Sequence, residues 1–247
     1  MKISGNTILI TGGTSGIGLA FALEFIRLDN TVIICGRREE KLKQLAAEYP
    51  GLITRVCDVA DTAQRVDLYD WTVKNYPGMN VLMNNAGIQL VTNLTATVDL
   101  DSVRSEVETN FIAPVHLGSL FAQHLAKFDT SAIINISSGL SFVPIAFMPV
   151  YCATKAAIHS LTLSQRHQLR NTSIKVFEIA PPSVDTELGH QRRTDKSQNH
   201  GGIPVGEFLS EAMEAITNDT LEAAIGQSKH LRAKREEMFL PMNSQFN

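Results

Sequence analysis

Short apolar runs alternate with longer amphipathic segments along this 247-residue chain. The runs are rich in Ile and Val, and most are too uniformly apolar for a sheet with one wet face. That pattern is typical of parallel strands that are covered on both sides. The predicted strands are Thr7–Thr11, Thr31–Cys35, Leu52–Cys57, Val81–Asn85, Ala132–Ser137 and Ile174–Ile179, and the segment LEAAIG (221–226) is a candidate for a short seventh strand.

Amphipathic patterns of helical period fill the gaps between these runs. The predicted helices are Gly16–Leu28, Glu39–Tyr49, Asp61–Tyr76, Asp99–Phe128, Tyr151–Arg170 and Val205–Thr217. This alternation predicts an α/β fold, a Rossmann-type doubly wound parallel sheet of six to seven strands with helices on both faces. We expect one domain over residues 1–247, with ligands bound beyond the carboxyl ends of the strands.

Composition excludes several classes of protein. With 44% hydrophobic and 19% charged residues, the chain has material for a packed core and no signature of disorder. A net charge of −3 gives no basic surface for nucleic acid. No apolar run approaches the roughly 20 residues of a membrane span. The three cysteines fit neither a disulfide framework nor a metal site, so we expect a cytoplasmic protein without bound metal.

The segment TGGTSGIG, residues 11–18, joins the first strand to the first helix. Its glycines fit neither the G-x-G-x-x-G fingerprint nor a P-loop, which needs Lys and Ser/Thr after the last glycine. They can still make a tight turn, admit a pyrophosphate and let the helix pack closely, while the helix N-terminus favours an anion. A plain strand–helix turn is the alternative. The candidate cofactor contacts here are Gly12, Thr14, Ser15, Gly16, Ile17 and Gly18.

Further motifs follow in a fixed order: NNAG at 84–87, Asn110 in a long helix, ISSG at 136–139 and YCATK at 151–155. Together with T-G-x-x-x-G-x-G they resemble the short-chain dehydrogenase/reductase family, in its compact single-domain branch. The resemblance runs from Thr7 to about Thr186. Each motif alone is weak, but the ordered set on the predicted strands is specific.

Tyr151 and Lys155 lie four residues apart on a predicted helix and therefore share one face. A nearby ammonium lowers the pKa of a phenol toward the working range of an acid–base catalyst. An exposed Tyr–Lys pair is the alternative. The family resemblance implies that Ser138, rather than its neighbour Ser137, bonds the substrate oxygen.

Asn110 precedes Pro114 by four residues in the segment NFIAP. Because proline has no N–H, the carbonyl of residue 110 loses its intrahelical partner and is free to hold a water. The resemblance implies that this water links Asn110 to Lys155 in a proton relay. A helix kink with a purely structural cause is the alternative.

The second strand ends in Cys35 and Gly36, with no acidic residue for a ribose 2′-hydroxyl, and Arg37 and Arg38 follow. We predict NADP(H), with Arg37 on the 2′-phosphate. The alternative is a pair of solvated arginines that bond to Glu39 and Glu40. The resemblance implies further cofactor contacts at Asp58, Val59, Asn84, Ala86, Gly87, Tyr151, Lys155, Pro181, Val184 and Thr186.

The reaction implied is hydride transfer between NADP(H) and a carbonyl/alcohol substrate, with Tyr151 as acid or base. A non-catalytic NADP(H)-binding sensor is the alternative, and a sugar-nucleotide epimerase is disfavoured by the short chain. Pro182 replaces the glycine that the family carries after the sixth strand, which puts the nicotinamide contact there in question. Around it, PPSVDTEL resembles the oxidoreductases that accompany teichoic-acid D-alanylation, a resemblance that says little about the substrate.

The loop GLSFVPIAFMPV before Tyr151 is apolar, which indicates either a wall for an apolar part of the substrate or burial against a lid or subunit. We expect a substrate lid at 187–217, since the segment Gly189–Gly206 is polar. His190, Arg192 and Arg193 are either contacts for an anionic substrate or a solvated charge run. A homo-oligomer is expected, a dimer through the helices 99–128 and 151–170 or a tetramer.

Overall fold

The computed structural model describes residues 1–188 and 201–244. The strands are β1 (Thr7–Thr11), β2 (Thr31–Gly36), β3 (Leu52–Val56), β4 (Met79–Asn84), β5 (Ser131–Ile136), β6 (Ile174–Ala180) and β7 (Glu222–Ala224). The helices are α1 (Gly16–Arg27), α2 (Glu39–Glu48), α3 (Thr62–Asn75), α4 (Leu100–Val107), α5 (Ala113–Leu125), α6 (Pro149–Gln168), α7 (Val205–Thr217), α8 (Ser228–Lys234) and α9 (Phe239–Asn243).

The seven strands form one parallel sheet in the order β3-β2-β1-β4-β5-β6-β7. This confirms the predicted doubly wound fold, and the short seventh strand is present. The order reverses between β1 and β4, where the chain first runs outward to β3 and then returns. A crevice therefore opens at the carboxyl ends of β1 and β4. The two glycine-containing motifs, TGGTSGIG and NNAG, begin at these two strand ends.

Apolar side chains cover both faces of the sheet, because neighbouring residues of a strand point to opposite sides. On one face, Ile8 and Ile10 of β1 belong to a cluster with Phe21 of α1. On the other face, Leu9 belongs to a cluster with Phe121 of α5. All five side chains are fully buried. The uniformly apolar runs in the sequence thus correspond to strands buried on both sides.

The long helix predicted over 99–128 is interrupted. A π-helical turn, Glu108–Ile112, separates α4 from α5, and the Ala113 N–H bonds to the carbonyl of Glu108 five residues earlier. Pro114 lies in the first turn of α5, where the missing N–H costs little. The interruption expected at Pro114 thus takes the form of a widened turn that carries Asn110.

The predicted lid is described only in part. Its last section is α7, whose Phe208 and Ile216 are fully buried in the core cluster that also holds α1. This part of 187–217 is therefore anchored to the body of the protein. His190, Arg192 and Arg193 lie outside the described residues. None of the described helices is long and apolar enough to cross a membrane.

Candidate functional site

The loop after β1 is closed tightly on the NNAG motif. Gly12 has a φ of +66°, and a Cβ built on it would lie 2.7 Å from the Ala86 Cα. A Cβ on Gly18 would lie 2.5 Å from the Gly12 carbonyl oxygen. Any side chain at these two positions would displace backbone, so the spacing of the glycines follows from the geometry of the turn.

Asn85 joins the loop after β1 to the NNAG loop by hydrogen bonds. Its side-chain amide donates to the carbonyls of Thr11 (2.9 Å) and Gly12 (3.1 Å). The Thr11 hydroxyl in turn accepts the N–H groups of Asn85 (3.0 Å) and Ala86 (3.1 Å). These four bonds fix the two strand ends that border the crevice, as a preorganised binding site requires.

The same crevice contains polar groups that suit a nucleotide. Asn84 is buried, and its amide nitrogen donates to Asn135 (2.9 Å). Its Oδ1 is one of the few buried side-chain oxygens without a hydrogen-bond partner among the described residues. Gly87 is bordered by polar groups, since a Cβ there would lie 3.5 Å from Asn110 Oδ1 and 3.7 Å from Lys155 Nζ. An orphaned acceptor and a cradle bordered by polar side chains fit the predicted ribose contacts.

The predicted adenine contacts follow β3. The Asp58 N–H donates to Gln64 Oε1 (2.8 Å), and its carboxylate accepts the N–H of Ala60 (3.0 Å). The Val59 carbonyl accepts a 2.6 Å bond from the buried Arg65 guanidinium. Asp58 and Val59 therefore belong to a turn whose backbone is held by hydrogen bonds, and their contact with adenine stays a prediction.

Arg38, rather than Arg37, reaches the glycine-rich loop of residues 11–18, the candidate nucleotide loop. Its Nη2 donates to the hydroxyls of Thr14 (2.8 Å) and Ser15 (2.9 Å), and its Nη1 donates to Glu187 Oε2 (2.8 Å). Arg37 is exposed. The alternative partners Glu39 and Glu40 bond instead to Lys43.

Asn110 is 1% exposed and holds the segment that follows NNAG. Its Oδ1 accepts the Ile88 N–H (2.8 Å), and its Nδ2 donates to the Ile88 carbonyl (2.8 Å) and to Thr154 Oγ1 (3.2 Å). The widened turn thus sets Asn110 between the NNAG loop and α6.

Lys155 lies on the same face of α6 as Tyr151, with Nζ 5.8 Å from the centre of the tyrosine ring. Nζ donates to the Ile136 carbonyl at the end of β5 (2.9 Å). Burial lowers the pKa of Lys155 to about 8. The ammonium is therefore more acidic than that of an exposed lysine.

The two adjacent serines after β5 point to different places. The Ser137 hydroxyl donates to the buried Glu178 carboxylate (2.6 Å), whose other oxygen bonds His159 Nδ1 (2.8 Å). Ser138 caps a 3₁₀ turn, and its hydroxyl oxygen accepts the N–H of Leu140 (3.1 Å). Ser137 is thus engaged inside the fold, and the Ser138 hydroxyl keeps its own proton for another acceptor.

The apolar loop before α6 divides into two parts. Phe142 and Val143 are buried against Met238 and Met242 of the C-terminal segment. The other part, with Leu140, Ile145, Phe147 and Met148, packs around Tyr151 and Cys152. The first part is thus buried against the C-terminal segment rather than against the predicted lid or a subunit, and a substrate wall in the second part stays a prediction.

The segment after β6 borders the nucleotide loop. The Pro181 carbonyl accepts the N–H of Gly139 (2.8 Å), and Val184 pairs with Ile203. Thr186 lies against Gly16, because a Cβ on Gly16 would be 3.1 Å from the Thr186 Cβ. Of the three predicted contacts in this segment, Thr186 is thus the one that lies directly against the glycine loop.

Comparison with known proteins identifies the family. The short chain dehydrogenase family matches residues 6–197. The chain belongs to the short chain dehydrogenase family. This confirms the resemblance carried by the motifs, and it makes the protein a nucleotide-binding oxidoreductase of that family.

One relative within the short chain dehydrogenases is an uncharacterized oxidoreductase, DltE, of Bacillus subtilis (strain 168), 46% identical over 255 aligned residues that cover all of both chains. A short-chain dehydrogenase from Sphingobium yanoikuyae in complex with NADPH superposes with a TM-score of 0.80 and 25% identity, over 89% of this chain and 87% of that one. A family member from Burkholderia phymatum in complex with NAD has a TM-score of 0.85 at 22% identity, over 98% and 97% of the two chains.

Sequence reasoning missed several residues of this short chain dehydrogenase site. Arg38 and Asn85 each adjoin a predicted contact within the same motif, and nothing in the sequence distinguishes them from those neighbours. Glu187 has its partner Arg38 149 residues away, and two of the partners of Arg65, Glu108 and His116, are also distant along the chain, so no local pattern marks either residue.

Proposed function

We propose that the protein is an NADP(H)-dependent oxidoreductase that transfers a hydride between the nicotinamide and a carbonyl/alcohol substrate. The observation that carries this proposal is the convergence of Asn110 and Lys155 on the cradle at Gly87, with Tyr151 beside the ammonium. When bound, the dinucleotide supplies or accepts the hydride.

The proposed role of each side chain follows from its chemistry. Tyr151 Oη gives a proton to the carbonyl oxygen in reduction and takes it back in oxidation. The Lys155 ammonium stabilises the phenolate by charge. The Ser138 hydroxyl donates a hydrogen bond to the same substrate oxygen. Asn110 and Lys155 provide the route by which a new proton reaches Tyr151.

A preference for NADP(H) is supported by the end of β2. Cys35 and Gly36 offer no carboxylate for a ribose 2′-hydroxyl, while Arg37 and Arg38 offer two guanidinium groups for a 2′-phosphate. The NADPH found in the Sphingobium yanoikuyae relative is in keeping with this choice.

The apolar side chains around Tyr151 support a small-molecule substrate with an apolar part. We propose that the segment from Glu187 to the start of α7 acts as its lid, in one domain that comprises the whole chain. A cytoplasmic location is supported by three buried cysteines, none of them in a disulfide.

The test is oxidation of NADPH against a panel of aldehydes, ketones and dicarbonyls, with Tyr151→Phe as the matched variant. Loss of the phenolic proton should reduce turnover by about 10²- to 10⁴-fold. Binding of NADPH should change by less than about twofold, because the ring is retained. Unchanged turnover in Tyr151→Phe would refute the mechanism. Tight NADPH binding without turnover on any compound would favour the sensor.

We also propose self-association through α6 and the turn that joins α4 to α5. An apolar cleft lies there, lined by Leu94, Val107, Phe111, Pro149, Val150, Ala153, Thr154 and Ala157. Leu163 of α6 and Ile112 of the π-helical turn are apolar and partly exposed. Light scattering should give the mass of a dimer or tetramer, and Ala157→Arg should shift it toward the monomer. A wild-type monomer at all concentrations would contradict this.

A further inference from the structure

Glu187 belongs to the segment after β6, yet its carboxylate lies at the nucleotide loop. Arg38 joins the two parts of the chain across 149 residues of sequence. One end of its guanidinium holds the Thr14 and Ser15 hydroxyls, and the other holds Glu187 Oε2. The guanidinium is therefore already committed to an anion that the protein itself provides.

The surroundings of Glu187 favour a negative charge. The Arg38 guanidinium holds the pKa of the Glu187 carboxyl below its usual range, and the Ser15 hydroxyl and the charge of Lys41 act in the same direction. Hydroxyl and guanidinium donors beside the first turn of α1 would suit a phosphate for the same reasons. The Glu187 carboxylate thus occupies a position whose hydrogen-bond donors would also suit a phosphate oxygen.

We propose that Glu187 is a specificity-determining residue, whose carboxylate competes with the cofactor 2′-phosphate for Arg38. The inference rests on the proposed use of NADP(H). A carboxylate and a phosphate both accept the parallel N–H bonds of a guanidinium, so one displaces the other. A dinucleotide without the 2′-phosphate carries no anion that could replace the Glu187 carboxylate on Arg38. The ion pair between Arg38 and Glu187 then stays in place.

The exchange also acts on the edge of the crevice. Thr186, next to Glu187, packs on Gly16 of the nucleotide loop. Once the phosphate takes Arg38, the Glu187 carboxylate loses its ion pair beside this contact.

The experiment is a double-mutant cycle on cofactor affinity, measured by calorimetry with NADPH and NADH. Both members of the ion pair are about half exposed, 51% for Arg38 and 47% for Glu187, so the competition is modest. Glu187→Gln should tighten NADPH binding by about two- to fivefold and leave NADH binding unchanged. Arg38→Met should weaken NADPH binding, and in that background Glu187→Gln should have no further effect.

Glu40→Gln is the matched control, because it removes the same charge from a nearby exposed carboxylate that bonds to Lys43 instead of Arg38. It should change the NADPH affinity by clearly less than Glu187→Gln does. Thermal unfolding of each variant checks that the fold is intact.

Three results would overturn the inference. Glu187→Gln could leave NADPH affinity unchanged, could tighten NADH equally, or could keep its effect when Arg38 is Met. If NADPH turnover persists in those cases, the proposed function stands and only the competition fails. A wild-type protein that binds NADPH no better than NADH would remove both the cofactor preference and the competition.

Discussion

The two ends of the crevice are built in opposite ways. At the catalytic end, Asn110, Tyr151 and Lys155 are 1%, 5% and 5% exposed. The bonds of the Asn110 and Lys155 side chains go largely to backbone groups of the neighbouring loop and strand. At the adenosine end, Arg38 and Glu187 are about half exposed and are joined by charge.

Under the proposed function, this difference separates the part of the site that gives rate from the part that gives cofactor selectivity. A buried ammonium costs stability because water is replaced by few donors and acceptors, but its field is strong for the same reason. An exposed ion pair costs little free energy of desolvation and contributes little to stability, so a ligand anion can replace its carboxylate. Under the proposed function, chemistry would be placed at the buried end and choice of cofactor at the exposed end.

The largest effect is expected at Lys155. Lys155→Met should reduce turnover by about 10²- to 10⁴-fold, because the ammonium beside Tyr151 is lost. The same change should stabilise the fold at neutral pH. A pKa lowered from 10.5 to about 8 corresponds to an upper bound of about 3 kcal/mol, less the loss of the bond to Ile136.

The pH dependence of the stability gained in Lys155→Met tests whether burial of the ammonium is its cause. The unfolded chain binds the Lys155 proton more tightly than the folded one, so below about pH 8 the folded state carries the full penalty. As the pH rises from about 8 toward 10.5, the folded lysine is already neutral and the penalty fades. Urea unfolding of both proteins across this range should show the two stabilities converging. A constant difference would contradict the desolvation argument.

A second prediction tests whether burial, rather than position in the crevice, decides the size of an effect. Arg65 holds Val59, a predicted adenine contact, but is only 2% exposed. It donates to the Val59 carbonyl, to Glu108, to Thr62 and to His116. Arg65→Met should lower the free energy of unfolding by about 2–4 kcal/mol, because these acceptors lose a charged donor.

Arg104→Met is the control for that loss. Arg104 pairs with Asp101 on α4, and the two side chains are 72% and 90% exposed. The control should change stability by at most about 0.5 kcal/mol. Equal effects of the two arginine variants in urea unfolding would break the comparison between buried and exposed charge.

The sequence predicted the features that depend on residues close together along the chain. Hydrophobic periodicity and residue spacing predict the order of strands and motifs, the glycine loop and the shared face of Tyr151 and Lys155. Ser137 and Ser138 were separable only by family resemblance, since the carboxylate that engages Ser137 is Glu178, 41 residues away. The Arg38–Glu187 pair joins residues 149 apart, and no local pattern encodes such a contact.

The smallest predicted effect concerns salt. Raising the ionic strength from about 0.1 to about 1 M shortens the screening length from about 10 Å to about 3 Å. The affinity for NADPH should fall by about two- to fivefold more than that for NADH, since only the 2′-phosphate depends on the exposed Arg38. Turnover at saturating NADPH should stay nearly constant, because Lys155 and Asn110 are shielded by the protein. Steady-state kinetics with both cofactors measures the two quantities in one series. If salt lowered turnover as much as NADPH affinity, the catalytic charges would be open to solvent, and the contrast between the two ends would be wrong.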